Sequence, residues 1–249
     1  MTAPENHHFE TCESTNLEAA SLARAGAVAW TLVTADEQSA GRGRLGREWV
    51  SPRGNLHFSV ILRPDVPVER APALALVAAV AVAEAVAQVV DPRRVEVKWP
   101  NDVLVDGRKV SGILAELETR KDSIEWVVMG VGVNVNPPVG SLGGELEKRA
   151  ISLASVAEGR VKRKALRGDI LERLQLGLKA FEKRAGKLDP TDWLRWSGDG
   201  RRVWFGEGEA RLQGVAMGIT SEGALRVTAM DGTDHVVVAG DVTPVSWEG

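Results

Sequence analysis

The chain has one cysteine, no tyrosine and no apolar run long enough to cross a bilayer. Cys12 alone can build neither an internal disulfide framework nor a cysteine-rich zinc site, so a reducing compartment is expected. The most apolar window, "APALALVAAVAVAEAVAQVV" at 71–90, is broken by Glu84 and Gln88. It falls short of the ~20 uninterrupted residues a span requires. The N-terminal "MTAPENHHFE" has no basic segment followed by an apolar one, so no signal peptide is expected. Basic excess is missing too: 31 Lys and Arg against 34 Asp and Glu leave a net charge of −3, which argues against a dedicated nucleic-acid binder. His7, His8, His57 and His235 fall in no metal-ligand spacing and read as incidental, so no protein metal site is expected. What remains is an ordinary globular composition, 44% hydrophobic and 26% charged, in 249 residues, with a cytoplasmic location expected.

The local pattern supplies elements of both kinds. "STNLEAASLARAGA" reads as a helix with Thr15 and Glu18 at capping-box spacing. "AWTLVTA" and "NLHFSVILRP" read as strands, and 69–90 as a helix with Pro72 in its first turns. "VEVKWPND" is a strand running into a turn. "VLVDGRKVSGILAELE" is a hairpin about Asp106-Gly107, and "IEWVVMGVGVNVN" is a further strand, followed by a glycine- and charge-rich loop over 139–150. Leu166, Ile170, Leu174, Leu178 and Phe181 recur at helical spacing. After Ser197 short strands alternate with turns at Gly206–Gly208, Ser221–Gly223 and Asp231–Gly232, the pattern of a small antiparallel barrel.

The stretch "GRGRLGR" at 41–47 spells G-x-G-x-x-G, yet "REWVSPRGN" after it cannot be the helix a dinucleotide turn needs. An RNA-binding tract is weak as well, with Trp49 alone nearby for stacking. An anion-cradling loop is the better reading. Glycines let backbone N–H groups approach a carboxylate or phosphate, and arginines supply forked donors. "KWPNDVLVDGRKVSGILAE" at 98–116 places Lys98, Trp99, Asn101, Asp102 and Lys109 about a strand end and hairpin, and "GVGVNVN" adds Asn134 and Asn136. Amides at strand ends suit the edge of an adenine, and a lysine stabilises charge developing on a phosphate. Together they describe an adenylating site without a P-loop. Each piece also has a plainer reading: Ser14-Thr15-Asn16 as a helix cap, Trp99 as core, Lys109 as a solvated hairpin charge.

The blocks "ESTN", "ADEQSAGRGRLGREW", "KWPNDVLVDGRKVSGILAE" and "GVGVNVN", in this order, resemble the signature blocks of biotin protein ligases, and "VWFGEGEARLQGVAMGITSEGALRV" resembles their small SH3-like barrel. The resemblance implies an α+β fold: a mixed sheet packed with helices, like class II aminoacyl-tRNA synthetases, over 1–196, and an SH3-like unit over 197–249. It implies an enzyme that adenylates biotin with ATP and Mg²⁺ and passes it to a lysine of a biotin carboxyl carrier domain. By resemblance Ser14, Thr15, Asn16, Gln38, Arg42, Gly43, Arg44, Lys109 and Gly112 meet biotin. Arg44, Trp49, Asn101, Lys109 and Asn134 meet ATP, and Lys109, Arg44 and Asp102 carry the chemistry, with Asp102 on the incoming lysine. A homodimer is compatible with the family. No DNA or membrane partner is expected, because only about a dozen residues precede "ESTN", too few for a helix-turn-helix. A lipoate ligase and an inactive biotin-binding protein are the rival readings.

Overall fold

In the computed structural model, which describes residues 3–138, 140–144, 146–157, 159–197, 200–206 and 211–247, seven strands form one mixed sheet. They are β1 (Asn6–Cys12), β2 (Leu32–Gln38), β3 (Leu56–Leu62), β4 (Val95–Lys98), β5 (Asp102–Val105), β6 (Arg108–Arg120) and β7 (Ser123–Val133). The order is β1-β2-β3-β7-β6-β5-β4. β1 and β2 pair in parallel and the other neighbours antiparallel. The helices are α1 (Thr15–Arg24), α2 (Leu74–Val86), α3 (Leu146–Arg149), α4 (Arg163–Lys183) and α5 (Pro190–Leu194).

Strand alternation divides the sheet into two faces of different chemistry. Phe58, Val60 and Leu62 of β3, with Met129, Val131 and Val133 of β7, point into the main core beneath α2 and α4. The residues between them point the other way. There Ile61, Trp126 and Val128 pack under the small Ala19, Ala20 and Ala23 of α1. Further along the same face stand His57, Ser59, Gly130 and Gly132, which α1 does not cover with apolar side chains. This uncovered end of the sheet is where the site is built.

A second, antiparallel sheet of five strands follows: β8 (Arg202–Phe205), β9 (Leu212–Ile219), β10 (Leu225–Ala229), β11 (Asp234–Val237) and β12 (Thr243–Pro244), in the order β11-β10-β9-β8-β12. Its Val203, Phe205, Ile219 and Leu225 belong to the same buried cluster as the main core. Trp99 is buried and donates its indole N–H to the Gly223 carbonyl at 2.9 Å, fastening the two sheets together.

Most expected elements are present, with four corrections. β1 is an outer strand with few buried positions, so its alternation gave no signal. The 69–90 segment is shorter as an α-helix. Pro72, without an N–H, sits in a 3-10 turn over Val68–Ala73, and the α-helix runs only from Leu74 to Val86. Thr15 is the first helical residue, not the cap: its hydroxyl donates to Gln38 Oε1 at 3.1 Å, and Glu18 N takes the Ser14 carbonyl instead. The 139–150 stretch, expected as loop, contains α3; its residues 139 and 145 lie outside the described residues, as do 198–199 beside the expected boundary and Gly208 of an expected turn. The Asp106-Gly107 hairpin has φ of +52° and +71° at its central residues, the geometry of a type I′ turn. No helix among the described residues is long and apolar enough to cross a membrane.

Helix α4 buries all five residues that define its apolar stripe, while Leu176 lies 62% exposed on the opposite side. Leu174→Ala should therefore cost about 2–5 kcal/mol in urea unfolding, through lost burial and the cavity left behind. Leu176→Ala should stay within about 0.5 kcal/mol. Equal losses at the two positions would contradict this packing.

Candidate functional site

Two clefts adjoin at Arg44 and Lys109, the first of them over the glycine-bearing face of β6 and β7. The first has a volume of about 50 Å³ and is lined by Ser14, Thr15, Asn16, Gln38, Arg42, Gly43, Arg44, Lys109 and Gly112, every residue the sequence assigned to biotin. The second, about 190 Å³, is lined by Arg44, Trp49, Asn101, Lys109 and Asn134, the residues assigned to the nucleotide, and by Asp102. Arg44, Lys109, Trp49, Asn101 and Gly43 line both.

The floor needs glycine for space. A Cβ on Gly132 would overlap the Trp49 ring, and one on Gly130 would overlap the Asn16 amide. At Gly112 it would meet Lys109 Nζ at 3.0 Å and Trp49 at 3.1 Å. In "GVGVNVN" the valines therefore serve the core and the glycines serve the cleft.

One wall is a partly buried polar network. Gln38 Oε1 accepts from the Thr15 backbone N–H at 2.8 Å and from its hydroxyl, while Gln38 Nε2 donates to Ser51 Oγ at 2.7 Å. Ser59 donates to Asn16 Oδ1 at 2.6 Å, and Asn16 Nδ2 donates to Glu116 Oε2 at 2.7 Å. Glu116 in turn pairs with Arg42 at 3.0 Å. Donors and acceptors held this firmly suit a polar ligand head that must be recognised by shape and hydrogen bonding.

The "GRGRLGR" stretch is a tight lid. The backbones of Arg42 and Glu48 form an antiparallel β-bridge, Gly43 N donates to the Arg47 carbonyl at 2.7 Å, and the turn passes through Leu45 at φ +56° and Gly46 at φ +72°. A 3-10 turn over Arg44–Gly46, rather than a helix, is all that forms, so a dinucleotide turn is absent. Arg44 donates to Asn101 Oδ1 at 3.2 Å and to the Gly240 carbonyl at 3.3 Å, and Arg47 pairs with Asp241 at 2.6 Å. The lid thus rests on the loop between β11 and β12.

Beneath it lies a chain of charges. Asp102 is buried between Lys109 Nζ, 2.6 Å from Oδ1, and Lys98 Nζ, 3.2 Å from Oδ2. Burial alone would raise the Asp102 pKa; the two ammonium groups outweigh it and hold the carboxyl below its ordinary range. Lys109 Nζ also sits 5.3 Å from the centre of the Trp49 ring.

Some residues stand elsewhere. Asn136 lines neither cleft and donates to the Val161 carbonyl. Asn134 is buried, accepts from Asn55 Nδ2 at 3.2 Å, and so is partly committed to the fold. Cys12 is buried, and burial pushes its thiol up to about 11, which keeps it protonated and unreactive. Sequence reasoning passed over Ser51, Ser59, His57 and Glu116. A signal for two of them was there: His57 and Ser59 are polar residues at period two within an otherwise apolar strand. Among the described residues no group of three or more His, Cys, Asp or Glu side chains is arranged to hold a metal.

Comparison with known proteins gives the same geometry a lineage. Residues 9–134 match the biotin/lipoate A/B protein ligase family. The chain is 37% identical over 223 residues to the biotin–[acetyl-CoA-carboxylase] ligase of Paracoccus denitrificans, covering 86% of this chain and 90% of that one. It is 34% identical over 241 residues to the bifunctional ligase/repressor BirA of Bacillus subtilis, covering 93% and 72%. The chain belongs to the biotin protein ligases of this family. Its fold superimposes on the biotin protein ligase from Aquifex aeolicus in complex with biotin and ATP with a TM-score of 0.80, at 28% identity, over 96% of this chain and 97% of that one.

Within this ligase His57 is the buried titratable group on the cleft floor that sequence had read as incidental. Burial pushes its pKa down from 6.5 to about 4, opposed in part by the Pro52 carbonyl. The ring is neutral when folded, so between pH 6.5 and 4 the unfolded chain binds the extra proton, and stability falls as pH drops through that window. Going from pH 7 to 5, the wild type should lose about 1–2 kcal/mol more than His57→Gln, measured by urea unfolding at both values. Parallel losses in the two proteins would show that His57 titrates normally.

Proposed function

We propose that the first cleft receives biotin, the second receives ATP, and the chain joins them before passing biotin to a protein lysine. The reaction class is ATP-dependent biotin ligation. The observation that carries the arrangement is that Arg44 and Lys109 line both clefts. A carboxylate leaving the first and an α-phosphate entering the second would meet between the same two cations. Lys109 and Arg44 neutralise the oxygens whose charge rises as the carboxylate attacks phosphorus, giving biotinyl-5′-AMP and pyrophosphate. The polar wall of Ser14, Thr15, Asn16 and Gln38 holds the biotin head. Asn101 and Asn134 offer amides to the nucleotide, and Trp49 offers a flat face for adenine.

In the second half-reaction an amine of a carrier domain attacks the acyl carbon and AMP departs, with Asp102 orienting the incoming lysine and taking its proton. The lid over 41–47 keeps water from the anhydride while the carrier arrives. Mg²⁺ would accompany ATP and neutralise part of its triphosphate charge. The carboxylates of Asp102 and Asp241 are both already paired with cations, which favours arrival with ATP over a protein cage. We assign the chemistry to 1–196 and the fastening of the lid to the SH3-like unit at 197–249.

Incubation with ATP, Mg²⁺ and biotin should release pyrophosphate and label a biotin carrier domain, while lipoate in parallel should do neither. Activity with lipoate alone would overturn the substrate, and tight biotin binding without pyrophosphate release would leave a receptor. Lys109→Ala should slow adenylation by about 100-fold or more, as loss of a charge-stabilising donor does. Arg44→Gly should release biotinyl-5′-AMP and label bystander lysines; intact retention of the adenylate would remove Arg44 from the lid's role.

A further inference from the structure

The two lysines on Asp102 are held very differently. Lys98 has a side chain only 7% exposed and is enclosed on three sides: Asp102 Oδ2 at 3.2 Å, Asp241 Oδ1 at 3.6 Å, and the Trp247 ring, whose centre lies 5.5 Å from Nζ. Lys109 has a side chain 29% exposed, is paired with one carboxylate, and lines both ligand clefts. One ammonium is therefore fixed and the other is placed to move. Resting on the assignment of the clefts to biotin and ATP, we propose that Lys98 is a positioning residue for the transfer half-reaction. It holds Asp102 by Oδ2, so that when Lys109 leaves Oδ1 for the biotin carboxylate and phosphate, Oδ1 becomes the seat of the acceptor lysine.

The exchange is one ammonium for another at the same oxygen, so the charge of the pocket is conserved. The acceptor ammonium gives a proton to Asp102 Oδ1. Its free amine attacks the acyl carbon, the acyl C–O bond to phosphate breaks with its electron pair leaving on AMP, and the second amine proton passes to solvent. Without Lys98 the carboxylate would have no cation between the departure of Lys109 and the arrival of the acceptor ammonium. Burial would then favour its protonated form, which can neither seat nor deprotonate an ammonium. The charged groups facing Asp102 are Lys98, Lys109 and Asp241, and Asp241 is itself tied to Arg47 of the lid at 2.6 Å. Asp241 and Trp247 both come from beyond β11, so the second sheet's end of the chain holds Lys98 in place.

The test separates the half-reactions. Pyrophosphate release reports adenylation, and single-turnover transfer from preformed biotinyl-5′-AMP to a carrier domain, followed from pH 5.5 to 9, reports the second step. Lys98→Met and Lys98→Gln should lower transfer at pH 7 by about tenfold or more, leave adenylation within about threefold, and move the acid limb of the transfer profile up by about one pH unit. Lys98→Arg, which keeps the charge, should restore both rate and profile. An unmoved acid limb in the neutral variants, or equal losses in both half-reactions, overturns the proposal. So does a Lys98→Arg acid limb displaced by about one pH unit from the wild type, an outcome that can be read even where the neutral variants do not fold. A wild-type chain that does not adenylate biotin would instead remove the underlying assignment of the clefts.

Discussion

The strict two-residue period of the central strands is the constraint on which everything else depends. β3 and β7 must fill a core on one side and leave a cleft on the other, and they do so residue by residue. Phenylalanine, leucine, valine and methionine supply the first side; glycine, serine and histidine supply the cleft end of the second. A slip of one residue would send Val131 into the ligand cleft and Gly132 into the core, destroying site and fold together. The buried apolar face thus fixes the register, and the register fixes the site.

Upon this frame sits a chain of charges that is buried at Lys98 and Asp102 and opens to solvent at Arg47. Lys98, Asp102, Lys109, Asp241 and Arg47 form a continuous chain from the main sheet to the lid. Removing charges from water is expensive, and replacing such a chain by packed hydrocarbon is often neutral or stabilising, so stability does not explain it. The proposed passage of a carboxylate, a phosphate and an ammonium through one place does. The chain also makes the second sheet part of the site, because its loop supplies both the Asp241 carboxylate and the Gly240 carbonyl that receives Arg44.

Much of this was legible beforehand, and for physical reasons. The stripe of α4 stood out because a helix with one buried face must repeat near 3.6 residues. The glycine loop could be told from a dinucleotide turn because Pro52 and Gly54 forbid the helix that turn requires. Other features depended on partners distant in the chain. Thr15 looks like a cap until Gln38 is placed beside it, since either hydrogen bond satisfies the same hydroxyl. β1 was invisible because an outer strand with little burial has no need to alternate. Lys98 reads as one more charge next to a tryptophan; its enclosure arises from residues more than a hundred positions away.

The Trp49 ring lies directly on Gly132 and Gly112. A single methyl group at Gly132 would push the indole off the floor of the cleft. Lys109 Nζ faces that ring 5.3 Å from its centre, so one added carbon on β7 would also disturb the seat of the cation that both clefts share. The bulkiest side chain of the site thus depends on two positions that have none.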